Sequence, residues 1–167
     1  MRFSFLILFY FTTAIVLIIS LLGVPLKFKL FRFFVILFTK NMVMVLKIFG
    51  IKIKVINGHL ANQKGYLFAS KHQSMFETIY YNHLFNNPSY ILKKELLSIP
   101  LFGIYLKKLG MIAIDRSQGI QSLRHVNEKT AEYIDHRPVV IFPEGTRTSF
   151  KYNPELKPGI YSMYKSL

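Results

Sequence analysis

The chain has 167 residues and no cysteine, which suits one domain with an appendage and excludes disulfides, thiolate nucleophiles and Cys-ligated metal. Hydrophobic residues make up 51% of it, and its mean hydropathy of +0.31 is high for a soluble domain. The formal charge is +14, with residues 1–60 holding 8 basic and no acidic side chains; positive charge concentrated in the most apolar stretch argues against a nucleic-acid binder and for an anionic membrane surface.

Residues 3–26 carry no charge and are dominated by Phe, Leu, Ile and Val. About 20 such residues suffice to cross a bilayer, so this run is predicted to be a transmembrane helix. A signal peptide is the rival reading, but Ser20-Leu21-Leu22-Gly23 is a poor cleavage site. Lys27, Lys29 and Arg32 follow at once, and positive residues there place the downstream domain on the cytoplasmic face of the membrane. Residues 28–49 form a second apolar segment in which Lys29, Lys40 and Lys47 share one helical bearing, with Arg32 beside them. That pattern predicts an amphipathic helix lying in the interface with its charges toward headgroups, or a second span whose lysines snorkel. Residues 1–49 are therefore the expected anchor and 50–167 the expected globular domain.

After Gly50, the strict alternation of Ile51-Lys52-Ile53-Lys54-Val55 predicts a half-exposed strand, followed by a turn at Asn57-Gly58. A short strand is expected at 66–69, a helix at 75–86 and a strand at 90–92. A helix at 101–109 and a strand at 111–114 come next. The helix at 118–136 is expected to bury Ile120, Leu123, Val126, Ala131 and Ile134, and a last strand covers 139–142. Strands alternating with helices define an α/β class with a mainly parallel central sheet flanked by helices.

The polar clusters follow the strands, and in open parallel sheets ligands bind outside the carboxyl ends of the strands. His72 and Glu77 stand five apart where a strand gives way to a helix, and Glu77 is the first acidic residue in the chain. A carboxylate on one ring nitrogen raises the basicity of the other, which can then take a proton from an alcohol. Ser74-x-x-Glu77 also fits a capping box, so Glu77 has a structural reading as well; Ser74 lacks a nucleophile elbow and reads as a cap. Asp115-Arg116 is either a surface pair or an Arg presented to a phosphate. In Phe142-Pro143-Glu144-Gly145-Thr146-Arg147, Pro143 and Gly145 shape a turn between two charged residues, although Pro-x-Gly also punctuates plain loops.

His72-x4-Glu77, Gly110-Met111-Ile112-Ala113-Ile114-Asp115-Arg116 and Phe142-Pro143-Glu144-Gly145-Thr146-Arg147 together resemble, in order and spacing, the first three motifs of the 1-acylglycerol-3-phosphate acyltransferase family. The resemblance covers roughly residues 50–167. It implies a glycerolipid acyltransferase-like fold and transfer of a fatty acyl group from acyl-CoA or acyl-carrier protein to 1-acylglycerol 3-phosphate, giving phosphatidate. By it His72 is the general base, Glu77 its carboxylate partner, Arg116 a phosphate ligand, and Glu144, Gly145, Thr146 and Arg147 acceptor-binding residues. No metal or cofactor is implied beyond the acyl donor as co-substrate. The expected partners are a lysophospholipid, the acyl donor and anionic membrane lipids. The family usually has Asp where this chain has Glu77, one methylene longer. It also continues past residue 160 into a further strand and a Pro-containing motif, so the domain is expected to be C-terminally incomplete. Two other readings stay open: an acyltransferase for a different anionic acceptor (glycerol 3-phosphate or an amino-acid lipid), and an inactive remnant that only binds membrane.

Overall fold

The computed structural model describes residues 2–21, 23, 25, 27–152 and 154–167. Two long helices come first, α1 (Arg2–Leu21) and α2 (Phe28–Ile48). They form an antiparallel hairpin: Phe5 meets Phe49 edge to face at 5.2 Å, and Asn41 Nδ2 donates to Thr12 Oγ1 at 3.1 Å. Among the described residues no helix is long and apolar enough to cross a membrane. The span expected at 3–26 is thus not found; α1 ends at Leu21, and residues 22, 24 and 26 of that stretch lie outside the described residues. In α2, Lys29, Lys40 and Lys47 are exposed together as anticipated. Arg32 does not join them. Its guanidinium donates to Asn87 Oδ1 at 3.0 Å and ties α2 to the globular domain, while Phe31, Thr39, Met42 and Val45 form the buried stripe.

The domain is built on β1 (Leu67–Ala69), β2 (Ser89–Lys93), β3 (Ile112–Ile114) and β4 (Val139–Ile141), all parallel, in the order β1-β4-β2-β3. Helices α3 (Phe76–Leu84), α4 (Phe102–Lys108), α5 (Gly119–Ile134) and α6 (Gly159–Ser166) cover it. Strand side chains alternate between two cores, as a pleated sheet demands. Val140, Phe68 and Tyr90 pack with Ala61, Tyr81 and Phe85 on one face. Val139, Leu67 and Ile91 pack with Val126, Leu123 and Met163 on the other. A parallel sheet covered on both faces explains why β1, β3 and β4 are continuous apolar runs.

Two expectations are corrected. Residues 51–55 form no strand, because among the described residues they have no ladder partner; alternation marks a half-buried surface only where a neighbouring strand supplies the other half. In α5, Ile120 is 87% exposed and Ala131 is exposed too. The buried stripe is instead Ser122, Val126, Thr130 and Ile134, every fourth residue, with its polar members hydrogen-bonded: Ser122 Oγ accepts the Asp115 N–H at 2.8 Å and Thr130 Oγ1 donates to Val126 O at 2.8 Å.

Candidate active site

Because all four strands are parallel, their carboxyl ends share one edge of the sheet. His72 lies three residues beyond β1, Arg116 two beyond β3, and the loop 142–147 directly follows β4. His72, Arg116, Gly145, Thr146 and Arg147 all line one cavity of about 530 Å³, whose remaining wall is largely apolar and includes Leu96, Phe102, Leu106, Ile114, Leu123 and Met163.

The turn after β1 folds His72 back onto the start of α3, where its Nδ1 lies 2.8 Å from Glu77 Oε1. An ionised carboxylate can only accept, so Nδ1 carries the hydrogen and Nε2 is the basic atom of the ring. Glu77 does both jobs open to it. Its Oε1 also accepts the N–H groups of Gln73 at 2.7 Å and Ser74 at 2.9 Å, while its Oε2 accepts the Ser74 hydroxyl at 2.9 Å. Ser74 Oγ in turn accepts the Phe76 N–H at 3.0 Å, closing the helix start. Burial pushes the Glu77 carboxyl up, but the hydrogen bonds from the Ser74 N–H and the His72 ring, then from its own N–H and the Ser74 hydroxyl, outweigh it. The carboxyl is held below its ordinary value.

The β4 loop completes the setting of His72. Pro143 and Gly145 occupy the second and fourth places of a turn closed by Gly145 N–H on Phe142 O at 2.9 Å, with Gly145 at φ +69°. The Phe142 ring stacks on the imidazole with centroids 4.3 Å apart. The Thr148 N–H donates to His72 O at 2.8 Å. Glu144 does not line the cavity where the resemblance would put an acceptor ligand. It is 3% exposed, and its Oε2 accepts the His72 backbone N–H at 2.8 Å. Its Oε1 has no hydrogen-bond partner among the described residues.

Arg116 is exposed and donates from Nη2 to Gly145 O at 2.7 Å, which spends one of its five donors and leaves the rest free for an anion. Asp115 does not pair with it. Hydrogen bonds from Ser117, then Lys94, hold the Asp115 carboxyl below its ordinary value, so Asp115 shapes the turn that presents Arg116. Arg147 and Thr146 are exposed at the cavity.

Lys93 and Lys157 also line the cavity and were not singled out from the sequence. The strand-end rule that reached Arg116 reaches Lys93 as well, since it is the last residue of β2. Lys157 had no such signal; its N–H bonds Pro143 O at 2.9 Å, a contact made across the loop.

The parallel sheet thus carries a carboxylate-bonded histidine, a basic rim and a largely apolar cavity together at its strand ends. Residues 52–167 match the family model described as Acyltransferase, and the chain belongs to that family. Among curated proteins, 99 residues are 40% identical to the 1-acyl-sn-glycerol-3-phosphate acyltransferase of Pseudomonas aeruginosa, covering 59% of this chain and 38% of that one. A stretch of 84 residues is 43% identical to the protein of the same name from Helicobacter pylori, covering 48% of this chain and 35% of that one. The 1-acyl-sn-glycerol-3-phosphate acyltransferase epsilon of Mus musculus is 28% identical over 112 residues, covering 62% of this chain and 30% of that one. The chain thus spans well under half the length of these relatives. No solved structure matches it significantly.

Proposed function

We propose that the protein is a membrane-bound O-acyltransferase that moves a fatty acyl group from acyl-CoA or acyl-carrier protein to the free hydroxyl of 1-acylglycerol 3-phosphate, giving phosphatidate. The observation that carries this reading is the 2.8 Å contact of His72 Nδ1 with Glu77, in a cavity that also holds Arg116 and Arg147. The two arginines hold the phosphate of the acceptor, so its hydroxyl reaches His72. Nε2 removes the hydroxyl proton as the oxygen attacks the thioester carbonyl, and Glu77 stabilises the imidazolium that forms. When the tetrahedral intermediate collapses, the C–S bond breaks and the imidazolium returns its proton to the leaving thiolate. The products are one ester and one free thiol.

The α1–α2 hairpin, with Phe3, Ile7, Phe11 and Ile18 of α1 and Phe33, Met44 and Ile48 of α2 exposed, binds the protein to the cytoplasmic leaflet where the acceptor resides. Exposed Lys29, Lys40 and Lys47 face its anionic headgroups. The test is an assay of membranes containing the protein with labelled acyl-CoA and lysophosphatidate. His72→Ala removes general-base catalysis and lowers turnover by about 10²–10⁴-fold. Undiminished turnover in that variant refutes the reading.

A further inference from the structure

Between the 3₁₀ turn at Lys94–Ser98 and α4, the chain makes a strained bend. The Phe102 N–H donates to Pro100 O at 2.6 Å around Leu101, which sits at φ +61° and ψ −53°. This is the rarer γ-turn, strained for any residue with a side chain. The strain is locked in, because Gly103 is packed so closely that a Cβ there would overlap the Leu97 carbonyl. Strain of this kind clusters where a chain does work. Here its effect is to hold large apolar side chains in the open: Ile99 is 45% exposed, Leu101 53%, Phe102 47% and Ile104 50%. A fold that buried them would gain hydrophobic free energy.

Phe102 is both half exposed and part of the cavity wall, so this lip borders the mouth of the active site. It also adjoins the helical hairpin. Tyr105, whose N–H donates to Leu101 O at 3.1 Å, meets Phe31 of α2 at 5.3 Å, and Lys108 Nζ lies 5.1 Å from that ring. Next to Phe31, Phe28 and Leu30 are exposed as well. Exposed Lys93, Lys94 and Lys107 flank the lip, against one exposed acid, Glu95.

We propose that the lip Ile99–Ile104 inserts into the same anionic leaflet as the hairpin, so that the single-chain phospholipid slides from bilayer to cavity along Phe102 without crossing water. The inference rests on the membrane-bound reading above. The basic flank and the continuity with α2 commit the occupant to lipid rather than to a protein.

The chain contains no tryptophan, so a single one reports its own surroundings. Ile104→Trp and, separately, Phe11→Trp in α1 would be reconstituted with vesicles of phosphatidylglycerol and phosphatidylethanolamine whose acyl chains carry bromine. The expected result is blue-shifted emission and strong bromine quenching for both. If Phe11→Trp is quenched and Ile104→Trp is not, the lip meets water or a protein partner and this inference alone falls. If neither is quenched, the membrane reading falls with it. A second measurement uses Ile99→Ser/Ile104→Ser. Turnover of long-chain acceptor in vesicles should drop about tenfold, with that of a dissolved short-chain acceptor unchanged. Equal losses on both acceptors overturn the proposal.

Discussion

Glu77→Gln isolates the charge of the carboxylate from its shape. In the wild-type protein this side chain takes hydrogen bonds from His72 Nδ1, the N–H groups of Gln73 and Ser74, and the Ser74 hydroxyl. An amide oxygen in place of Oε1 can accept the first three, and the amide N–H₂ can donate to Ser74 Oγ, so the helix start survives. What disappears is the attraction to a forming imidazolium. Hydrogen bonds to charged groups contribute about 1.5–3 kcal/mol and neutral ones about 0.5–1.5, a difference of about 1–2 kcal/mol. In a rate that is about 5–30-fold, since each 1.36 kcal/mol is tenfold. Turnover should therefore fall by this factor with KM for the acceptor unchanged, and remain above that of His72→Ala. Steady-state kinetics on membranes, with a thermal melt beside them, measures both quantities. The melt should drop only about 2–8 °C, the shift expected for about 1–2 kcal/mol in a chain of this size. If Glu77→Gln turns over at the wild-type rate while His72→Ala is inactive, Glu77 is only a cap and the proposed dyad is wrong.

Glu77 also sets a pH dependence of folding. Its carboxyl is held below the ordinary value, so between the folded and unfolded pKa values the unfolded chain binds more protons and stability rises with pH. That contribution is complete above about pH 4.3, the ordinary Glu value, and is lost as pH falls through the lower folded value. Chemical denaturation from pH 6 downward should show it, with a flatter curve for Glu77→Gln (pH range about that of carboxylate titration). Arg116→Gln and Arg147→Gln should each raise KM for lysophosphatidate about 10–100-fold, from about 1.5–3 kcal/mol per charged hydrogen bond, and leave KM for acyl-CoA unchanged. Gly145→Ala forces a side chain into φ +69° and places its Cβ 2.9 Å from Arg116 Nη2; a loss of about 1–3 kcal/mol in urea unfolding and a higher acceptor KM are expected. Glu144→Gln keeps an acceptor for the His72 N–H and should retain most activity, whereas Glu144→Ala strands that buried donor and should destabilise the fold by about 1–3 kcal/mol, read by urea unfolding with turnover alongside.

The sheet was readable because its strands are short, mostly apolar runs, each with a Gly or Pro one or two residues before its start. Ile51–Val55 misled because alternation is a property of a surface and not of a partner. In α5 the buried stripe was hidden by Ser122 and Thr130, which enter the core only because backbone groups take up their hydroxyls. Helix α6 went unseen, as two turns with Met163 as the one buried residue give too little periodicity. The His72–Glu77 contact was legible because a turn lies between the two residues. The inward course of Glu144 was not: an acidic residue between Pro and Gly reads as loop surface, and its partner is a peptide N–H 72 positions away.

The order of the strands has a consequence for when the site comes into being. Among the described residues β1 has a single neighbour, β4, which follows β2 and β3 in the chain yet sits between β1 and β2. A growing chain emerges with its N-terminal part first. Until residues 139–148 have left the ribosome, β1 lacks this partner, and neither Glu144 nor Thr148 exists to fasten the peptide of His72. The histidine is synthesised early and its peptide is fastened late.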